Sequence, residues 1–374
     1  MPSGVASDVV GNEDTPIALS LVAAQSADTD GSETTSVRLT NLPAGTIISG
    51  DVSGGGSVTQ SGNDWIITAP TIGQLNAILA TAVMMPPQHF SGVMNATMEV
   101  ISTESATGVE VSVPTATFTD NFQVTVSQVV DAPSITVVNA QEGAAGYEDT
   151  IIPLVVDVRL VDRDGSEALG NVVISGIPAG AQIVNGAGVP LGTITGVGEV
   201  TVTVAQLSQL HIIPPANSND DFDLTITASS TELPQGLPGD GDTVIGTATL
   251  HVEVIGVADP ANIAAVAVNG TEDQPIALGS AVTASLADTD GSETLYFVIA
   301  GLPAGVVPSA GTYIGGSWQV DAADMATLTV PAPANFSGDY VADYAPSLQI
   351  SAITQKMMAA RPAFQFRLPS LLIR

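Results

Sequence analysis

The chain of 374 residues carries 38 acidic and 7 basic side chains, a formal net charge of −31, yet 45% of it is hydrophobic. That charge repels nucleic acid and anionic lipid, and that much apolar material excludes an acidic disordered segment. The absence of cysteine excludes disulfides, thiolate-bound zinc, iron–sulfur clusters and thiol nucleophiles.

In chain order, three similar units follow one another, and internal repeats are the first thing to seek. The first opens with GNEDTPIAL (11–19), passes the acidic turn DTDGSE (28–33), and reaches LPAG (42–45) through the alternating stretch SVRLTNL. Trp65 and then TIGQLNAILATAV follow, the latter being the stretch whose pattern admits a helix. A proline-rich turn, Phe90 and the alternating FQVTVSQVVDAP (122–133) close the unit. The second unit repeats the order as GYEDTIIPL (146–154), DRDGSE (162–167), IPAG (177–180), Phe222 and LHVEVIGVADP (250–260). The third repeats it as GTEDQPIAL (270–278), DTDGSE (288–293), LPAG (302–305), Trp318 and Phe336. Within the units the apolar period is two, as in NVVISGI, VTVTVAQL and FDLTITAS, with glycine and proline at short intervals. This predicts all-β, tandem Ig-like or cadherin-like β-sandwich domains. The expected boundaries are 1–131, 132–258 and 259–354.

The third unit is expected to be incomplete. Its SLQISAIT (347–354) matches ATMEVIST of the first unit, but the final hairpin does not follow. Residues 355–374 instead hold Lys356, Arg361, Arg367 and Arg374 and no acid. They are expected to be a basic tail, disordered or foreign to the repeat. A sandwich without its last strands has an open edge. Either a neighbour supplies the strand or the chain is a fragment, and the fragment is the favoured reading.

The chemistry-bearing element is D-x-D-G-S-E. Aspartates two apart on an extended stretch point to one side, and glycine permits the turn that brings Ser and Glu back to the same point. Hard cations such as Ca²⁺ take six to eight oxygens in flexible geometry, more than one hexapeptide supplies. Two further acidic elements recur in phase: the ED pair opening each unit and the aspartate closing the preceding one. The expected ligands at the first junction are Asp131, Glu148, Asp162, Asp164 and Glu167. At the second they are Asp259, Glu272, Asp288, Asp290 and Glu293. Glu13, Asp28, Asp30 and Glu33 form a weaker site in the first unit, where Asp8 is the only upstream acid. The alternative is a solvated turn capped by its own side chains, which requires only one of the carboxylates.

The order ED…DxDGSE…LPAG…PPxxFSG…VxxVADAP resembles the cadherin-like, immunoglobulin-like repeats of giant bacterial surface adhesins secreted by type I systems. The resemblance covers about residues 9–354. It implies non-catalytic extender modules, joined to further repeats of the same parent chain, whose junctions bind Ca²⁺ and stiffen into a rod outside the cell for adhesion or biofilm formation. It also implies export without an N-terminal signal peptide, and MPSGVASDVV lacks the charged and apolar regions of one. Two family features are missing, the nonapeptide glycine–aspartate repeats and the terminal secretion signal, and Val200 of the second unit stands where the others have tryptophan.

Other chemistry finds little support in the sequence. His89, His211 and His251 do not recur in phase, and no G-x-S-x-G is present. Paired carboxylates can hydrolyse glycosides, but here the acids cluster with one another and no aromatic-rich stretch accompanies them, aromatics forming 4% of the chain. No apolar run approaches the roughly 20 residues of a membrane span, so no membrane insertion is expected. PGDGD (238–242) reads as a hairpin turn rather than a second ion site. The competing functions are a carbohydrate- or protein-binding sandwich and an accessory region of an extracellular enzyme.

Overall fold

The computed structural model describes residues 1–24, 33–104, 115–138 and 145–357. Period-two patterning becomes half-buried strand throughout. Residues Glu33–Thr40 alternate in burial along their length, with Thr35, Val37 and Leu39 facing inward. The chain is an all-β series of Ig-like, cadherin-like sandwiches.

In the first unit the long sheet runs Val9–Asn12, Thr115–Ser127, Gly92–Glu104, Glu33–Thr40, Asp64–Thr68, Ser57–Ser61 in spatial order. A smaller sheet joins Ile17–Ala18, Val83–Met85 and Ile47–Ser49. Val37, Leu39, Val100 and Val124 of the long sheet share one core with Ile17, Ile48 and Met84 of the smaller one. Burying each such side chain stabilises the fold by roughly 1.5–3 kcal/mol. The helical stretch is Ile72–Leu79, capped by Thr71, whose side chain accepts from the backbone of Gln74, and it buries Leu75, Ile78 and Leu79. Trp65 lies in this core and donates its indole N–H to the carbonyl of Thr46 at 3.2 Å.

The second unit has the same order, from Ala145–Tyr147 through Thr243–Ile255, Phe222–Glu232, Val172–Ser175 and Glu199–Val202 to Thr193–Gly196. Its core holds Ile152, Ile174, Leu210, Ile226 and Leu250. The third unit has a separate core around Phe297, Ile299, Val320 and Leu328.

One pairing sets the position of the site. The strand that opens a unit lies parallel to the strand that closes it: Val9–Asn12 pairs with Val124–Ser127, and Ala145–Tyr147 with Glu253–Ile255. Two antiparallel strands can be joined by a tight turn, but this pairing joins the two ends of a unit. It carries the ED pair to the unit's far end, next to the linker. Glycine permits the close approach. A Cβ on Gly11 would lie 2.5 Å from Ile17, and one on Gly146 would lie 2.5 Å from Ile152.

The third unit differs. Its sheet runs Thr312–Ile314, Ser317–Asp321, Glu293–Ala300, Gln349–Lys356, and among the described residues nothing pairs outside Gln349–Lys356. That open edge borders a groove of about 920 Å³ lined by Ile263, Val266, Ile276, Phe336, Tyr340 and Ile350. The strand continues through Lys356, two residues into the stretch expected to be a tail, because Glu293 pairs with it in register. Residues 358–374 of that stretch lie outside the described residues. Among the described residues no helix is long and apolar enough to cross a membrane.

Candidate metal centre

Each described DxDGSE turn folds onto its own carboxylates. Asp162 Oδ1 accepts the backbone N–H of Asp164 at 2.8 Å, and Asp164 Oδ1 accepts that of Ser166 at 2.6 Å. Ser166 Oγ donates to Asp162 Oδ2 at 3.1 Å. Asp288, Asp290 and Ser292 repeat the three bonds at 2.9, 2.7 and 3.1 Å. Gly165 and Gly291 turn the chain at φ of 96° and 88°. The turns are self-capped, and their first aspartate is buried, Asp162 at 2% exposed and Asp288 at 1%, while Asp164 and Asp290 are exposed.

The glutamate that follows holds the linker. Glu167 Oε1 accepts the backbone N–H of Asp131 at 2.6 Å, and Oε2 accepts from Ser230 Oγ at 2.9 Å. Glu293 Oε1 likewise accepts from the backbone of Asp259 at 2.8 Å.

The ED glutamates stand at different junctions from those expected. Glu13 lies with Asp162 and Asp164, and Glu148 with Asp288 and Asp290, each trio having carboxylate oxygens within 4.8 Å of one another. So each junction takes the glutamate of the unit before it, not of the unit after it. The parallel pairing is the cause. The backbone N–H of Glu13 bonds the carbonyl of Ser127, and that of Glu148 bonds the carbonyl of Ile255, at the end of each unit's last strand. Glu148 therefore does not join the first site, and Glu13 leaves the first unit's own upstream site. Glu272 does not join the second site. It is exposed, and among the described residues no closing strand pairs beside it.

Asp131 also departs from expectation. Its carboxylate groups with Asp14 and His89, at 3.5 Å from His89 Nδ1, while Asp14 lies 3.1 Å from the same nitrogen. Asp259 contributes its backbone to Glu293, and its carbonyl accepts from the hydroxyl of Thr354. Asp28 and Asp30 lie outside the described residues. Glu33 pairs with Glu104 at the upstream end of the first unit.

Two further side chains line the first junction. Glu232 stands opposite Glu167 in the sheet and is 1% exposed. Gln128 crosses the junction, its backbone N–H donating to Pro238 at 3.0 Å and its amide to the carbonyl of Leu233 at 3.4 Å. Pro238 belongs to the PGDGD turn, whose Asp240 accepts from the backbone of Gln235 and Gly236. That arrangement makes the turn a structural hairpin rather than an ion site. Both residues carried a signal in the sequence. S-T-E recurs at 102–104 and 230–232, and Gln128 sits one residue before the valine that Glu13 caps.

The electrostatics of this junction are unbalanced. Glu13 Oε1 accepts from Val129 at 2.6 Å, but its Oε2 is buried without a hydrogen-bond partner. Both oxygens of Glu232 and Oε1 of Gln128 are also buried without one. Burial pushes the Glu13 carboxyl up to about 7, against the Val129 bond and with help from the charges of Asp162, Asp14 and Asp164. Burial pushes Glu232 up to about 7 as well, reinforced by the charges of Glu167, Glu13, Asp162 and Asp164. Buried polar groups are normally satisfied. A set of inward-facing oxygens without donors is the complement of a hard cation. Glu13, Glu232 and Gln128 carry such unpartnered oxygens, and Asp162 and Asp164, whose carboxylates also accept the turn's own bonds, group with Glu13.

Fold and site together define a chain of tandem Ig-like, cadherin-like sandwiches with acidic junctions. No family model matches the chain, and no curated protein does. Among solved structures it is similar to a protocadherin GammaB4 extracellular domain at 14% identity and a TM-score of 0.35, over 90% of this chain and 47% of that one. It is similar to human CDH23 EC21-23 at 12% identity and a TM-score of 0.37, over 93% and 96% of the two chains. Titin domains z1z2 in complex with telethonin are similar at 10% identity and a TM-score of 0.24, over 68% and 97%. This chain therefore spans about half the length of the protocadherin. Likenesses this distant carry no functional argument, and the sandwich assignment rests on the strand pairing above.

Proposed function

We propose that this chain is a non-catalytic segment of an extracellular adhesion rod in which Ca²⁺ stiffens the junction between sandwiches. The observation that carries the reading is the group of Glu13, Asp162 and Asp164, whose carboxylates come from two successive units and include a buried oxygen without a donor. An ion held there ties one sandwich to the next, and without it the same carboxylates repel each other. Extracellular calcium modules bind at about 10⁻⁴–10⁻³ M, so such a site fills outside a cell and empties inside. The parent is read as a bacterial cell-surface adhesin exported by a type I system, on the motif order described above. Further repeats of that parent are the expected neighbours. A non-catalytic role fits two of the three histidines, since His211 bonds the carbonyl of Gln209 and His251 pairs with Asp223 on an exposed strand, while His89 stands between Asp14 and Asp131.

Small-angle scattering in millimolar Ca²⁺ and then in EGTA tests this. The maximum dimension should shorten and the profile broaden on chelation. A maximum dimension that does not change would remove the stiffening role. The open edge at Gln349–Lys356 favours a second reading, in which a strand from another chain or another repeat pairs there. A strictly monomeric chain at high concentration by light scattering would count against pairing between copies.

A further inference from the structure

The two junctions share the turn bonds and the glutamate that caps the linker, and beyond such differences as Ser230 against Thr354 they differ at two positions that bear on charge. Glu167 pairs with Glu232, and at the same register of the next unit Glu293 pairs with Lys356. A backbone bond fixes the correspondence: Leu233 donates to the carbonyl of Ser166, and Met357 donates to that of Ser292. The second position is Gln128. It follows Ser127, whose carbonyl accepts from Glu13, just as Gly256 follows Ile255, whose carbonyl accepts from Glu148. Where the first junction has Gln and Glu, the second has Gly and Lys.

These differences fit one another. The Lys356 ammonium lies 2.8 Å from Glu148 Oε1 and 2.9 Å from Asp288 Oδ2, and both carboxylates are almost fully buried. The space it crosses is open because residue 256 has no side chain. A Cβ there would lie 2.3 Å from the Lys356 side chain. Burial by itself would lower the lysine pKa, but hydrogen bonds and charge from Glu148 and Asp288 outweigh it and raise the value.

We propose that Lys356 is the resident cation of the second junction, where its ammonium takes the place a divalent ion takes at the first, so that this junction closes without metal. A monovalent ammonium bonds one oxygen each of Glu148 and Asp288, while Glu148 Oε2 and Glu293 Oε2 stay buried without a hydrogen-bond partner, and its positive charge repels an incoming divalent ion. One chain would then contain a calcium-dependent joint followed by a calcium-independent one.

The contrast between the joints rests on the calcium reading above. The claim that Lys356 closes the second one does not, so the test has two arms on the whole chain. In EGTA, Lys356→Met leaves buried carboxylates without a counter-charge and should lower the melting temperature of the third unit by roughly 10 °C, with Lys356→Arg restoring most of it. A Met variant that melts at the parent temperature or higher would overturn the proposal. In the second arm, calorimetric titration with Ca²⁺ counts ions. Asp288→Asn with Asp290→Asn should leave the parent's uptake unchanged, and Lys356→Glu should add one ion that Asp288→Asn removes. Loss of an ion on changing Asp288 and Asp290 in the parent, or no gain with Lys356→Glu, would also overturn it. A parent that takes up no ion at all, while the Lys356→Met effect persists in EGTA, would remove calcium from the first junction and leave the lysine closure standing.

Discussion

Glu13→Gln separates an ion ligand from a structural hydrogen bond. Glu13 Oε1 holds the backbone of Val129, and the amide oxygen of glutamine can keep that bond. What is lost is the carboxylate charge, which lies beside Asp162 and Asp164 and whose Oε2 is buried without a donor. In EGTA the variant should therefore be as stable as the parent or more so, since a repelling carboxyl has been removed. In calcium it should lose most of the ligand's contribution. For a site with Kd of about 10⁻⁴–10⁻³ M, 10 mM free ion contributes roughly 1.4–2.7 kcal/mol through RT ln(1 + [L]/Kd). At about 4 °C per kcal/mol for a domain near 100 residues, that is a rise in melting temperature on the order of 5–10 °C in the parent. Differential scanning calorimetry of both proteins, with and without the ion, reads it directly. If Glu13→Gln shows the parent's full calcium-induced rise, Glu13 is not a ligand. If it melts lower than the parent in EGTA by a similar amount, its role is structural.

The metal-free chain should also respond to pH. Glu13 and Glu232 have folded values of about 7 against an ordinary 4.5. Both are raised, so the fold holds more protons than the unfolded chain between those values, and stability falls as pH rises through that window. Melts in EGTA at pH 5 and pH 7.5 should show the decline, and saturating Ca²⁺ should reduce it. Gly146→Ala should cost about 1–3 kcal/mol, because the new Cβ would lie 2.5 Å from the fully buried Ile152. Urea unfolding of the second unit measures that cost, and an unchanged midpoint would show that the opening strand can shift. Trp65→Phe should cost about 1 kcal/mol for the lost bond to Thr46, visible in the first unit's melt and absent from the calcium response.

Much of this protein is set by local pattern. Period-two alternation fixed strands such as Phe222–Glu232, whose inward positions recur at every second residue. The repeat of ED, DxDGSE and LPAG marks three units, because turn chemistry and strand patterning are short-range properties. The acidity of the junctions was visible for the same reason. Which glutamate serves which junction was not, because it depends on a parallel pairing between the first and last strands of a unit, more than 100 residues apart. Sequence order places Glu148 beside Asp162, and the pairing moves it to Asp288. Lys356 shows the same limit. As one of a run of basic residues it looked foreign to the repeat, although aligning T-Q-K (354–356) with S-T-E (230–232) would have put it opposite the junction glutamate. Only the register of Glu293 against Lys356 and the space left at Gly256 show that the lysine is a counter-charge, since charge compensation depends on distance in space rather than along the chain.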